Sequence, residues 1–235
     1  MPDFYEMFET PKMHWPITFV VDTSGSMAGQ RLSQLNTSLQ EINALLESLA
    51  HQNEVQLSIR LIEFNTTARW LVGNLEFGVD HLDVYFSEAT GITNTAEALR
   101  LARAVMTPRY IMARSLKPIV ILITDGCSIN QQETIEAIDE LKTCPWGRRN
   151  KILRVAYRIG DESIPELEMF ASSANDGSLV FKVDDLGHIQ EADLLKSVIT
   201  SFCFSYVHDR VSPYDDDDQI PVISDDSEWE DEWEE

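Results

Sequence analysis

The stretch that decides the fold is WPITFVVDTSGSMAG, residues 15–29. Ile17, Thr18, Phe19, Val20 and Val21 form a short β-branched run with no polar alternation. That pattern suits a strand buried on both faces, as in a parallel sheet. The run then switches to Asp22-Thr23-Ser24-Gly25-Ser26, a turn with one carboxylate, three hydroxyls and a glycine that permits close backbone approach. A long helix is expected to start near Gly29. Oxygen-bearing side chains at the carboxyl end of a buried strand lie where open α/β sheets bind their ligands.

The donor types select the chemistry. Asp22, Ser24 and Ser26 offer only hard oxygens, which favour Mg²⁺, Mn²⁺ or Ca²⁺ over Zn²⁺. Hydroxyls are neutral ligands, so a divalent ion held mainly by them keeps charge to share with an external acid. A plainer reading competes: Ser24 and Ser26 cap the next helix, and Asp22 makes an Asx turn.

Two later stretches bear on that choice. Thr90-Gly91-Ile92-Thr93 precedes a helical pattern with Leu99, Ala102 and Val105 on one face. Residues 119–123 are a second fully apolar strand, ending in Thr124-Asp125-Gly126. The order Asp-x-Ser-x-Ser, then a loop Thr, then Asp-Gly resembles the von Willebrand factor A (vWA) domain and its metal-ion-dependent adhesion site. The resemblance covers roughly residues 12–207. It implies a metal site at Asp22, Ser24, Ser26, Thr93 and Asp125. Many members of that family carry two glycines before the loop Thr, where this chain has Gly91-Ile92. The resemblance further implies that Ser24, Ser26 and Thr93 touch the cation, Mg²⁺ or Mn²⁺. Asp22 and Asp125 would act mainly through waters or hydrogen bonds, leaving one position open for an acidic side chain of a protein partner.

The remaining elements follow from periodicity. Leu32, Leu35, Leu39, Ile42, Leu46 and Leu49 make one apolar face of a helix over 30–49. Residues 55–64 read as a strand, Asn65-Thr66 as a turn and 68–72 as a short strand; the vWA resemblance makes this pair a hairpin with an antiparallel edge. Residues 73–92 read mostly as loop. A helix is expected over 131–141 and a strand over 152–159. Ser163-Ile164-Pro165-Glu166 has the spacing of a capping box opening a helix to about Ser173. Asn175-Asp176-Gly177 reads as a turn, 179–183 as a last strand and 189–206 as a final helix. Strands alternating with helices predict an α/β fold: a doubly wound, Rossmann-like, mostly parallel sheet with one antiparallel edge strand and helices on both faces.

Composition divides the chain into three parts. Residues 1–12 read as an N-terminal extension, 13–212 as the domain and 213–235 as an acidic tail. The net charge is −22, and twelve acids with no base fall in residues 214–235. Such a segment buries too little apolar surface to offset its ordering entropy, so disorder is expected when it is free. Trp229 and Trp233, four apart, would share a face if the segment turned helical on a basic, grooved partner. A solvating tail is the simpler alternative. The acidity argues against nucleic acid as a partner. No run of 18 apolar residues and no basic-then-apolar leader occur, so no membrane span or signal peptide is expected; the cysteines are expected to be reduced, in a cytoplasmic protein. Cys127, Cys144 and Cys203 are too widely spaced to suggest a disulfide framework or a zinc site.

No enzyme motif stands out. There is no Gly-x-Ser-x-Gly, no Gly-x-x-x-x-Gly-Lys-[Ser/Thr] and no strand-borne Gly-x-Gly-x-x-Gly. His14, His51, His81, His188 and His208 have no triad spacing. A metal-dependent phosphohydrolase would want a second carboxylate near the first strand end, where Thr23 and Ser24 stand instead. The expectation is therefore a non-catalytic binding module. Within the vWA family, Asp22–Met27 with Gly29, Leu35-Asn36 and Thr124-Asp125-Gly126 resemble bacterial tellurite-resistance TerY-type proteins. That resemblance implies a stress-response role beside a protein kinase and a PP2C-type phosphatase. A MoxR-type AAA ATPase is the alternative partner.

Overall fold

A computed structural model describes residues 12–111, 115–148, 151–161, 163–174, 177–183, 199, 200 and 203. Residues 1–11, most of the expected final helix and the acidic tail with Trp229 and Trp233 lie outside the described residues. The chain runs β1 (His14–Asp22), a 3₁₀ turn (Gly25–Met27), α1 (Gln30–Gln52), β2 (Gln56–Phe64) and β3 (Ala68–Val72). It continues through α2 (Thr95–Val105), β4 (Ile119–Thr124), α3 (Gln131–Thr143), β5 (Leu153–Ile159) and α4 (Pro165–Phe170). Last come β6 (Ser173–Ala174), β7 (Gly177–Ser178) and β8 (Val180–Val183).

Six strands form one sheet in the order β3-β2-β1-β4-β5-β8, all parallel except the edge strand β3, while β6 and β7 pair with each other in a small antiparallel ribbon. The apolar runs seen in the sequence are the central strands. Every residue of β4 is buried, as are eight of the nine in β1. The order reverses between β1 and β4: the chain first steps from β1 to β2, then returns to build β4, β5 and β8 on the other side. Right-handed crossovers in opposite directions put α1 on one face and α2 and α3 on the other. There α2 packs on α3, and α3 on α4.

The core is continuous from Trp15 and Phe19 through Leu35, Ile42 and Leu46 to Phe170. Of the final helix expected over 189–206, Ile199, Thr200 and Cys203 are described. They are helical, and Ile199 and Cys203 join the core. Burial pushes the Cys203 thiol up to about 12. No described helix is long and apolar enough to cross a membrane.

One local expectation is corrected. The Ser163–Glu166 capping box does not form. Its helix starts at Pro165, with Ile164 extended at φ −121° and ψ 95° as the uncapped N-cap, because the residue before a proline avoids the helical region. Ser163 is thus one residue too early, and the helix ends at Phe170 rather than near Ser173. The Glu166 side chain turns inward instead, and neither carboxylate oxygen has a partner among the described residues. The working boxes are at α2 and α3, where Asn94 and Asn130 accept from the backbone N–H groups of Glu97 and Glu133 and donate to their carboxylates.

The stretch 73–92 is mostly loop, as expected, and it is fastened at two points. Val79 bridges Ile59 of β2 in antiparallel fashion. Buried Asn36 of α1 donates to the Phe86 carbonyl (2.9 Å) and accepts from the Phe86 N–H (2.8 Å).

Candidate metal centre

The sheet order places the site. Its two central strands, β1 and β4, lie on either side of the topological reversal, and such a crevice opens beyond the carboxyl ends of the strands. Asp22 is the last residue of β1, and Asp125 follows directly on β4. Residues 99 or more apart in sequence become neighbours because Val21 and Ile123 pair in register.

Four of the five expected residues form one hydrogen-bonded chain. Thr93 Oγ1 donates to Ser24 Oγ (3.0 Å), the Ser24 and Ser26 hydroxyls lie 3.1 Å apart, and Ser26 Oγ donates to Asp125 Oδ1 (2.9 Å). Asp22 stands behind this chain. Its Oδ1 accepts from the Ser24 N–H (2.8 Å), and its Oδ2 accepts from Thr124 Oγ1 (2.5 Å). The Asx-type bond of the plainer reading is therefore present. The capping half of that reading is not: neither the 3₁₀ turn nor α1 receives a side-chain cap. The two serine hydroxyls face each other rather than helix N–H groups.

Burial is graded across the site. Asp22, Ser24 and Asp125 are at most 1% exposed, whereas Thr93 is half-buried and Ser26 exposed. Asp22, Asp125 and Ser24 thus form the floor, and Thr93 and Ser26 the mouth. Burial holds the Asp22 carboxyl above its ordinary range; hydrogen bonds from Thr124 and Ser24 oppose that rise, and the Asp125 charge adds to it. Exposed Ile92 and Ile129 flank the mouth, the latter tied in by its N–H to the Thr93 carbonyl (2.9 Å).

The loop that carries Thr93 is clamped to the first turn. The Gly25 N–H donates to the Gly91 carbonyl (3.0 Å), and the Thr90 N–H to the Thr23 carbonyl (2.8 Å). Gly91 has φ +82°, and a Cβ there would sit 2.4 Å from Thr66 Oγ1. Both the backbone and the space therefore require glycine.

These residues suit a hard divalent cation. Octahedral Mg²⁺ with bonds of about 2.1 Å sets neighbouring ligand oxygens about 3.0 Å apart. The Thr93–Ser24, Ser24–Ser26 and Ser26–Asp125 separations run from 2.9 to 3.1 Å. No group of three or more His, Cys, Asp or Glu side chains capable of holding a metal occurs among the described residues. A site here would lean on hydroxyls.

Two neighbours were not anticipated. Thr124 joins the strand ends through Asp22, a bond that depends on the β1–β4 register. Arg31, in the first turn of α1, pairs through Nη1 with Asp125 Oδ2 and lies 3.4 Å from the Ser26 carbonyl. A cation in the first turn of a helix opposes the helix dipole, and that mismatch is the sequence signal that would have drawn attention to it.

A sequence model of the family described as von Willebrand factor type A domain matches residues 17–194. Among solved structures, the chain is similar to proximal thread matrix protein 1 from the mussel byssus, with a zinc-occupied MIDAS motif. The TM-score is 0.55 at 19% identity, over 81% of this chain and 46% of that one. It is also similar to a von Willebrand factor type A protein from Catenulispora acidiphila, with TM-score 0.50 at 16% identity, over 80% of this chain and 42% of that one. The chain thus spans less than half the length of either structure. No curated protein sequence matches it.

Proposed function

The chain belongs to the von Willebrand factor type A domain family, and from that premise we propose that it is a metal-dependent protein-binding module. In this reading Ser24, Ser26 and Thr93 hold a Mg²⁺ or Mn²⁺ ion, supported by Asp22 and Asp125, and the ion captures an acidic side chain of a partner. The observation that carries it is the convergence of the Thr93, Ser24, Ser26 and Asp125 side-chain oxygens, unspent on helix capping, at the switch point of the sheet. The exposed Ser26 and half-buried Thr93 leave the incoming carboxylate a way in past the buried Ser24. Ile92 and Ile129 favour an acid flanked by apolar residues.

A non-catalytic role is part of the proposal. Its support is that Asp22, the carboxylate a phosphohydrolase would use as nucleophile, is fully buried with both oxygens engaged. The finer setting comes from the TerY-type resemblance: a cytoplasmic stress-response complex with a protein kinase and a PP2C-type phosphatase. A MoxR-type ATPase is the competing partner. The acidic tail would supply a second contact through Trp229 and Trp233.

The test is calorimetric titration of the full chain with Mg²⁺ and with Mn²⁺, followed by affinity capture of the kinase and the phosphatase with and without EDTA. One saturable site and EDTA-sensitive capture are expected. Absence of binding by either ion, or metal-dependent turnover of a phosphoester that is lost in Ser24→Ala, would overturn the reading.

A further inference from the structure

The pairing of Arg31 with Asp125 has a consequence for the charge of the site. Asp22 and Asp125 bring two negative charges to the floor. Arg31 answers one of them directly. Its side chain is 35% exposed, whereas that of Asp125 is fully buried, so the guanidinium reaches in from the rim while the carboxylate does not move out to meet it. Gly160, at the end of β5, lies beside the guanidinium: a Cβ on it would meet Arg31 Nη2 at 3.5 Å, an ordinary contact, so the glycine answers its φ of +92° and not a need for space.

We propose that Arg31 is the resident counter-charge of the metal site, weakening the bare ion's binding so that the site reaches neutrality only with an acidic ligand in place. This rests on the metal-binding reading above and deepens it. The charges make the case. Without Arg31, a divalent ion between two aspartates would already be neutral, and an incoming carboxylate would add unbalanced negative charge. With Arg31, the same site carries one surplus positive charge once the ion is bound. A partner's Asp or Glu cancels it. Ion and acid then favour each other, and by linkage the coupling is reciprocal. The side chain that opposes the helix dipole thereby gains a role in choosing acidic partners.

The test measures metal affinity alone, by calorimetric titration of the full chain with Mn²⁺, in wild type, Arg31→Met, Arg31→Gln and Arg31→Lys. Removing one positive charge beside a divalent ion should tighten binding on the order of tenfold, even with the high effective dielectric of a surface-facing site. Met and Gln variants binding Mn²⁺ about tenfold tighter, with the Lys variant near wild type, would support the proposal. Unchanged or weaker binding by folded Met and Gln variants would overturn it, folding being read from their far-ultraviolet circular dichroism. Failure of all four proteins to bind would defeat the metal-site reading itself and the counter-charge with it.

Discussion

Two sets of buried polar side chains in this sheet are answered in opposite ways. Arg60 of β2 and Arg154 of β5 lie within the strands, at most 5% exposed. Arg154 donates from Nε to the Phe170 carbonyl (2.9 Å) and from Nη1 to the Ile152 carbonyl (3.3 Å). Arg60 donates from Nε to the Asn74 carbonyl (2.9 Å). Burial pulls both guanidinium groups below their ordinary range, and each is held chiefly by backbone acceptors, with Ser58 Oγ a further partner of Arg60 Nη1 (3.4 Å). At the carboxyl ends of β1 and β4 the partners are mostly side chains: Thr93, Ser24, Ser26, Asp125 and Arg31 answer one another. Hydroxyls can rotate and a guanidinium can withdraw. The first arrangement fastens the fold. The second can exchange its internal bonds for an ion.

The sharpest way to break this comparison is at the aspartates. Asp22→Ala with Asp125→Ala should weaken Mg²⁺ binding by at least about a hundredfold, since each removed charge contributes on the order of tenfold or more. Far-ultraviolet circular dichroism should stay that of the wild type. Undiminished heat in a Mg²⁺ titration would mean that the ion binds elsewhere.

Arg154→Met should do the reverse. It removes two charge-assisted bonds and strands the Phe170 carbonyl in the interior, while Ser172 Oγ still reaches the Ile152 carbonyl (3.5 Å), at a cost of about 2–4 kcal/mol of stability by urea unfolding. Mg²⁺ affinity should stay within about twofold, so a large change in affinity would show that the two sets are not separable.

A smaller effect is expected at Asn36, which belongs to the fastening kind although it serves a loop. Asn36→Ala removes both bonds to Phe86 and should cost about 1–3 kcal/mol, with faster amide exchange at Phe86. Unaltered exchange there would mean that the Val79–Ile59 bridge alone holds the segment.

How far each feature could be read in advance depended on whether its partners were local. The buried strands were legible because an unbroken apolar run needs no knowledge of its neighbours: β1, β4 and β5 fall within a few residues of their expected places. Asp22, Ser24, Ser26 and Asp125 are legible because a strand end followed by an acid or hydroxyls is a short pattern, whereas Thr93, in the loop before α2, is joined to them only by the vWA resemblance. The capping box was misread because Pro165 overrode the Ser163–Glu166 spacing. The clasp of Asn36 on Phe86 was not legible, because a side-chain amide satisfying a distant backbone leaves no period behind. Arg31 is not legible for a similar reason: its partner is 94 residues away.

The amino-acid order by itself determined the alternation of strands and helices, and with it a doubly wound parallel sheet, since apolar periodicity and right-handed crossovers leave few other ways to bury those faces. It also determined which side chains carry the oxygens. Tertiary structure alone decided that these oxygens meet. Only the β1–β4 register sets Asp22 beside Thr124, only the Gly25–Gly91 contact brings Thr93 to Ser24, and only the packing of α1 across the strand ends delivers Arg31 to Asp125. A residue's chemistry is local, but the charge and spacing of a site are properties of distances between elements, which no short stretch of chain contains.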